Sequence, residues 1–400
     1  MIIGIPSEIK TGERRVAMSP VNVKSLTDKG IKVLFQANAG DASGYPDAEY
    51  EQAGATITTD RAEIFAAADI LLQVQSFGSN NDNSDGDLAS LRSGQVVIGM
   101  MDPLATPSAA QAVAGTGATA IALELVPRIS RAQSMDVLSS MATLAGYKAV
   151  LMGASASPRI FPMLMTAAGT LKPARVLIMG VGVAGLQACA TAKRLGALVE
   201  AYDVRPAARE QIISVGAKPV ELDLDTGESE GAGGYAKAQG EDFLRRQREL
   251  MTAVIAEQDI IITTAAIPGA KSPILVTEDM VKAMKPGSVI VDLAAERGGN
   301  CDLTQQGKTI IAHGVTIIGP ENVPSELAYH ATQMYGKNLQ TLLELIIDGE
   351  GNLNLDFKDE IVAGTVVAHR GDVPHPHMRK LLGLPELAAS TDTIDVKKGA

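Results

Sequence analysis

The chain has 400 residues, 46% of them hydrophobic and 20% charged, with a formal net charge of −11. That length exceeds one core of ordinary size and calls for two domains of globular composition. The acidic balance argues against a nucleic-acid surface or a polybasic membrane patch and points to small molecules or other proteins as partners. The two cysteines, Cys189 and Cys301, lie far apart in no metal-ligand pattern. Cys189 stands in an Ala-rich stretch and reads as a small buried apolar residue. The start, Met1 to Ile5, lacks the charge and the long apolar run of a signal peptide. The stretch Ala149–Leu171 comes nearest to a membrane span, but Pro158, Arg159 and Pro162 interrupt it, so the expectation is a chain that does not itself cross a membrane.

In chain order, strands are expected at Ile2–Ile5, Lys32–Gln36, Ile70–Gln75, Val96–Met100 and Thr119–Leu123. Helical segments such as Pro20–Lys29, Asp47–Ala53 and Arg61–Ala67 lie between them. This alternation is the rhythm of a parallel sheet covered on both faces. It resumes with strands at Arg175–Met179, Val199–Asp203, Lys218–Glu221, Ile260–Thr264, Val289–Asp292 and Thr316–Ile318. Long apolar helices over roughly Gln133–Ala154 and Ser325–Ile347 join the halves, the second with Leu327, Leu339, Leu342, Leu343 and Ile346 near helical spacing. The expected fold class is therefore α/β, with two Rossmann-like domains, parallel sheets and a cleft between them. The first domain would be discontinuous, 1–135 plus 325–382. The second, 136–324, would be the nucleotide-binding one, and 383–400 a disordered tail. Gly78–Asp87 reads as a polar loop without packing capacity. Asp225–Gly240 is a glycine-rich insert carrying a lone aromatic, Tyr235, and inserts of that length are often functional. His375 and His377 read as part of a turn rather than a metal site.

The sharpest chemical signal is the run of Gly180, Gly182 and Gly185, with Val183 and Ala184 inside it, between a strand and a helix-forming stretch. Gly180 permits the tight turn. Gly182 lets a pyrophosphate approach the N-terminus of the helix, and Gly185 lets helix and strand pack closely. The next strand ends in Asp203, whose carboxylate can accept hydrogen bonds from adenosine ribose hydroxyls and would repel a 2′-phosphate. NAD(H) is thus the expected nucleotide, with Val204 and Arg205 beside the ribose. Two later loops sit past strand C-termini, where a nucleotide lies. They are Thr264, Ala265, Ala266, Pro268 and Gly269 after one strand, and Asp292 to Gly299 after the next.

No histidine precedes His313. A dehydrogenase acting on a hydroxy or amino acid must move a proton as well as a hydride, usually with His or Lys. Chemistry in the cleft could instead be hydride transfer between two nicotinamide rings, which needs positioning rather than acid–base groups. The junction segment from Pro127 to Ser139 offers such groups: Arg128, Arg131, Gln133, Asp136 and Ser139, with Gln133 and Asp136 close to one helical face.

Together these residues resemble the NAD(H)-binding component of proton-translocating nicotinamide nucleotide transhydrogenases, in the short form that is a separate soluble polypeptide. The resemblance runs from Gly4 to Glu8 and Glu13 to Ala17, through the glycine run, to Gly319 to Pro324. It implies that Arg128, Gln133, Asp136 and Ser139 contact the nicotinamide, that Gln133 helps bring two rings together, and that Asp203 binds the adenosine ribose. It also implies that the stretch around Tyr235 is a mobile loop closing over nucleotide. The implied activity is direct hydride exchange with NADP(H) on a partner component, coupled to proton movement by a membrane component. A homodimer on the cytoplasmic face of the inner membrane follows from the same resemblance. Alanine dehydrogenase shares the fold and is the main enzymatic alternative. Its catalytic lysine and histidine match Gln75 and Asp102 here, while its substrate-binding arginine matches Arg15. An NAD-sensing module without turnover is a third reading.

Overall fold

The computed structural model describes residues 1–80, 84–222 and 241–387. The strands of these residues are β1 (Ile2–Ile5), β2 (Lys32–Gln36), β3 (Thr56–Thr58), β4 (Ile70–Gln75), β5 (Val96–Met100) and β6 (Thr119–Ala122). They continue with β7 (Leu164–Thr166), β8 (Gly169–Leu171), β9 (Arg175–Met179), β10 (Leu198–Tyr202), β11 (Lys218–Pro219) and β12 (Ile260–Thr263). The last are β13 (Val289–Asp292), β14 (Lys308–Ala312), β15 (Val315–Gly319) and β16 (Val366–Ala368). The chain divides into two compact units, Met1–Met141 with Ser325–Ala400, and Ala142–Pro324.

The first unit holds a seven-stranded sheet in the order β16-β6-β5-β4-β1-β2-β3. Six of its strands are parallel, and β16 joins antiparallel to β6. All six residues of β4 are buried, as a strand covered on both faces demands. The helix Arg61–Ala67 starts where Asp60 caps it by accepting from the Ala62 N–H. The strand order reverses between β1 and β4, the switch point at which open α/β sheets build sites.

The second unit has its own seven-stranded sheet, β11-β10-β9-β12-β13-β15-β14, with its switch point between β9 and β12. Alternate residues of its central strands feed two cores. Val176, Ile178, Ile260, Ile262, Val289 and Val291 pack on one face, and Leu177, Met179, Ile261 and Ile290 on the other. Each such side chain contributes about 1.5–3 kcal/mol of burial. The edge strand β14 runs antiparallel to β15, so both sheets are parallel-dominated and mixed rather than purely parallel.

Several expectations need correction. The strand expected to reach Leu123 stops at Ala122, where a 3-10 turn begins, and the one expected at Val199–Asp203 runs Leu198–Tyr202. Gly78–Asp87 is not a bare loop. The helix Ser84–Ser90 begins inside it, Asn80 is buried, and Asp87 forms a two-bond ion pair with Arg61 at 2.6 and 2.8 Å. Both long helices open with a 3-10 turn: Ser130–Met135 precedes Val137–Ala156, and Val323–Leu327 precedes Ala328–Ile346. His375 caps a short helix, Pro376–Leu381, accepting weakly from the Met378 N–H at 3.4 Å.

Among the described residues, one helix is long and apolar enough to cross a membrane, Val137–Ala156, rather than the stretch singled out in the sequence. Its small residues are used for packing inside the second unit. A Cβ on Gly146 would stand 2.0 Å from the Ala184 carbonyl oxygen, and one on Gly153 3.1 Å from Ile260.

Candidate functional site

In the second unit the glycine run is a strand-to-helix turn. Gly180 has φ +90°, a conformation that L side chains resist, and its N–H donates to the Tyr202 carbonyl at 2.9 Å. Gly182 is the N-cap of the helix Val183–Arg194, and nothing lies within 4 Å of where its Cβ would be. Gly185 packs against the turn itself, since a Cβ there would sit 2.0 Å from the Gly180 carbonyl oxygen. Val183 is exposed and Ala184 half-buried at the first turn, where backbone N–H groups lack intrahelical acceptors. The result is an open, donor-rich cradle that fits a pyrophosphate.

Asp203 follows β10 directly. One carboxylate oxygen accepts from the Val181 N–H at 2.7 Å, which ties the acid to the glycine turn. Arg205 engages both oxygens, Nε to Oδ1 at 2.9 Å and Nη2 to Oδ2 at 2.9 Å, and also donates to the Val181 carbonyl at 3.1 Å. The carboxylate expected for ribose is thus presented at the turn, with Arg205 laid across it. Val204 packs against the core below.

The loop after β12 comes to the same turn. Thr264 donates its N–H to the Met179 carbonyl and its hydroxyl to the Gly180 carbonyl, each at 2.8 Å. Ala265 is half-buried, Ala266 and Pro268 are exposed, and Gly269 turns with φ +71°. The loop after β13 behaves differently: Asp292 points inward, fully buried, and caps its own backbone. Asn300, not singled out from the sequence, donates to the carbonyls of Ala265 and Pro273 at 2.8 Å. Its only sequence signal is an amide directly after the turn glycines Gly298 and Gly299. Tyr235 lies outside the described residues.

In the first unit, Pro127, Arg128, Ile129, Gln133, Asp136 and Ser139 line one cavity of about 370 Å³. Gln133 and Asp136 do not share an α-helical face. Gln133 belongs to the 3-10 turn, and Asp136 is the residue on which the following helix begins. The Asp136 carboxylate accepts from the Ser139 N–H at 2.9 Å and its hydroxyl at 2.6 Å, an N-cap arrangement that fixes both side chains. Gln133 and Arg128 are exposed at the cavity. Arg131 turns away and pairs with Asp359 at 2.6 and 3.0 Å. Asn338 donates to the Ser134 carbonyl at 2.8 Å and holds the turn in place.

At this unit's switch point lies a buried polar cluster. Arg15 makes two bonds to Glu13, at 2.6 and 2.8 Å, and Gln75 donates to Glu13 at 3.3 Å. Glu8 accepts the N–H groups of Val74 and Gln75 at 2.6 and 2.9 Å. Burial, reinforced by Glu13, pushes Glu8 up to about 8 despite those bonds. Asp102 has φ +47° and donates its N–H to Glu124 at 2.7 Å.

Two family descriptions match the chain end to end: the alanine dehydrogenase/PNT N-terminal domain over residues 4–145 and its C-terminal domain over residues 149–376. An NAD(P) transhydrogenase subunit alpha from Rhodospirillum rubrum is 47% identical over 378 residues, covering 94% of this chain and 98% of that protein. The alanine dehydrogenase of Bacillus subtilis is 32% identical, covering 83% of this chain and 82% of its own. A solved transhydrogenase structure from Sinorhizobium meliloti superimposes with a TM-score of 0.83 at 46% identity, covering 93% of this chain and all of that one. With both of its halves matched in order, the chain belongs to the alanine dehydrogenase/PNT family.

Proposed function

We propose that this chain is the NAD(H)-binding alpha subunit of a proton-translocating NAD(P) transhydrogenase. In this reading it presents a nicotinamide ring for direct hydride exchange with NADP(H) on a partner component. The observation that carries the reading is the cradle at Gly180, Gly182 and Gly185 with Asp203 tied to it through the Val181 N–H at 2.7 Å. The cradle's open space at Gly182 and the first-turn donors of Val183 and Ala184 fit a pyrophosphate. Asp203 would hold the ribose diol once Arg205 moves aside, and it disfavours a 2′-phosphate. Thr264, Ala265, Ala266, Pro268 and Gly269 would border the nicotinamide half. When bound, the nicotinamide supplies the hydride chemistry. The chain's own groups position it.

In that role Arg128, Gln133, Asp136 and Ser139 orient the ring, with Asp136 and Ser139 locking each other so that the amide of Gln133 meets a fixed edge. Identity favours this over amino-acid dehydrogenation, 47% against 32%. The residue inventory favours it too. The positions matching a catalytic lysine and histidine hold Gln75, engaged with Glu13, and Asp102, and neither serves as the required proton donor.

The partners in this reading are an NADP(H)-binding component and a membrane component that couples exchange to proton movement. The chain would sit on the cytoplasmic face of the membrane through them, as a homodimer. Self-association is supported by the hairpin β7–β8, whose strand residues are all exposed and which pairs with no further strand among the described residues. The test is a mixing experiment. The chain alone binds NADH with little turnover. Added to the NADP(H)-binding component, it exchanges hydride rapidly between the two nucleotides. Turnover of alanine or pyruvate with no exchange in the mixture overturns the reading.

A further inference from the structure

We propose that Asn300, held by Asp292, is a positioning residue that fixes Ala265 and so sets where the loop from Thr264 to Gly269 meets the nucleotide. This rests on the reading that the loop borders the nicotinamide half. Asn300 and Asp292 are both fully buried. The Asn300 side chain engages both backbone groups of Ala265. Its Oδ1 accepts the Ala265 N–H at 3.0 Å, and its Nδ2 donates to the Ala265 carbonyl at 2.8 Å. Those two groups flank the φ and ψ of one residue, so an amide bonded to both fixes its torsions. The second Nδ2 proton goes to the Pro273 carbonyl at 2.8 Å, closing the loop's far end onto the same side chain.

Asn300 is itself immobilised. Its N–H donates to Asp292 Oδ2 at 2.7 Å, and its carbonyl accepts from Leu275 and Val276 at 2.8 and 3.0 Å. Asp292 accepts from Thr263, Ala294, Cys301 and Thr304 as well, so five donors satisfy it and no cation pairs with it among the described residues. A buried carboxylate this fully bonded is a rigid anchor rather than a reagent. The loop's other tie, Thr264 Oγ1 to the Gly180 carbonyl, ends on the glycine turn. Asn300 therefore refers the loop to β13, while Thr264 refers it to β9, and the two together give the nucleotide a fixed frame.

Asn300→Asp keeps the shape but turns a donor into an acceptor against the carbonyls of Ala265 and Pro273. Asn300→Ala removes both ties. Val281→Ala, a core truncation on the helix Glu278–Ala283, controls for lost stability. The measurements are NADH affinity by fluorescence and the exchange rate at saturating NADH in the complex with the NADP(H)-binding component, with Tm recorded for each variant. The expected result is at least tenfold weaker NADH binding and at least tenfold slower exchange at saturation for both Asn300 variants. Val281→Ala lowers Tm and leaves both quantities close to wild type. Asn300 variants that lose Tm yet bind and exchange like Val281→Ala overturn the inference alone. Failure of the unsubstituted chain to bind NADH overturns the nucleotide reading beneath it.

Discussion

Gln133 and Asp203 stand at opposite ends of the proposed nucleotide, and their removal should separate binding from chemistry. Gln133 is exposed at its cavity and lies beside the Asp136–Ser139 lock. Gln133→Ala should therefore slow exchange by ~10–100-fold, the scale of a small misplacement of reacting groups, with little loss of NADH affinity. Equal losses in both would remove it from the transfer step. Asp203→Ala should act mainly on binding. A hydrogen bond to a charged group is worth about 1.5–3 kcal/mol, so NADH affinity should fall about ten- to hundredfold. Titration of NADH into the variant reads this directly, and unchanged affinity would place the ribose elsewhere.

Glu124 gives a further test at the same scale. One oxygen accepts the N–H groups of Met101 and Asp102, each at 2.7 Å, and the other is buried with no hydrogen-bond partner. Burial lifts its carboxyl to about 7 against the pull of those N–H groups. The folded state thus holds the proton more tightly than the unfolded chain, whose carboxyl titrates near 4.5. The stabilisation is full below about 4.5 and is lost as pH rises through about 7. Glu124→Gln mimics the protonated form, since its amide oxygen can accept both N–H groups. It should flatten the fall in Tm between those limits, and an unchanged slope would mean that Glu124 titrates alike folded and unfolded.

At the scale of elements, what the sequence made legible was whatever periodicity or glycine spacing encodes locally. The β2, β4, β5, β9 and β13 ranges were readable because each is an apolar run bounded by breakers. The glycine turn was readable because strand, glycines and helix follow one another within a few residues. The antiparallel edges β14 and β16 were not legible, because strand direction is set by a distant neighbour. The inward aim of Asp292 and the role of Asn300 escaped for the same reason: their partners are Thr263, Ala265 and Pro273, up to 35 positions away. The junction was misread as one helix because its 3-10 turn and N-cap look helical in pattern alone.

The glycine turn is also the element most open to a destructive test. Gly185→Ala would place a methyl group 2.0 Å from the Gly180 carbonyl oxygen, a backbone atom that cannot rotate away. Overpacking of this kind costs about 1–3 kcal/mol, and here the helix must lift off the strand to relieve it. Both Tm and NADH affinity should fall. A variant with normal affinity would mean that close helix–strand packing is not what shapes the cradle.

For the whole molecule, the choice between the two branches of the family rests on which second reactant the chain is built to meet. An amino-acid dehydrogenase completes its reaction within one chain, binding nucleotide and substrate together and moving a proton with a lysine or histidine. This chain has a cradle for one nucleotide, a positioning cavity lined by an arginine, an amide, a carboxylate and a hydroxyl, and a buried arginine already paired with Glu13 at 2.6 Å. Hydride exchange between two rings asks for nothing more than alignment, but the second ring must come from elsewhere. The chain alone should therefore bind NADH in preference to NADPH, because Asp203 repels the 2′-phosphate, and should catalyse almost nothing. Comparing affinities for NADH and NADPH, then adding the NADP(H)-binding component and following exchange, separates the steps. Equal affinity would remove Asp203 as the selector while leaving exchange intact. Preference for NADH with no exchange in the mixture would leave a nucleotide-binding module without transfer.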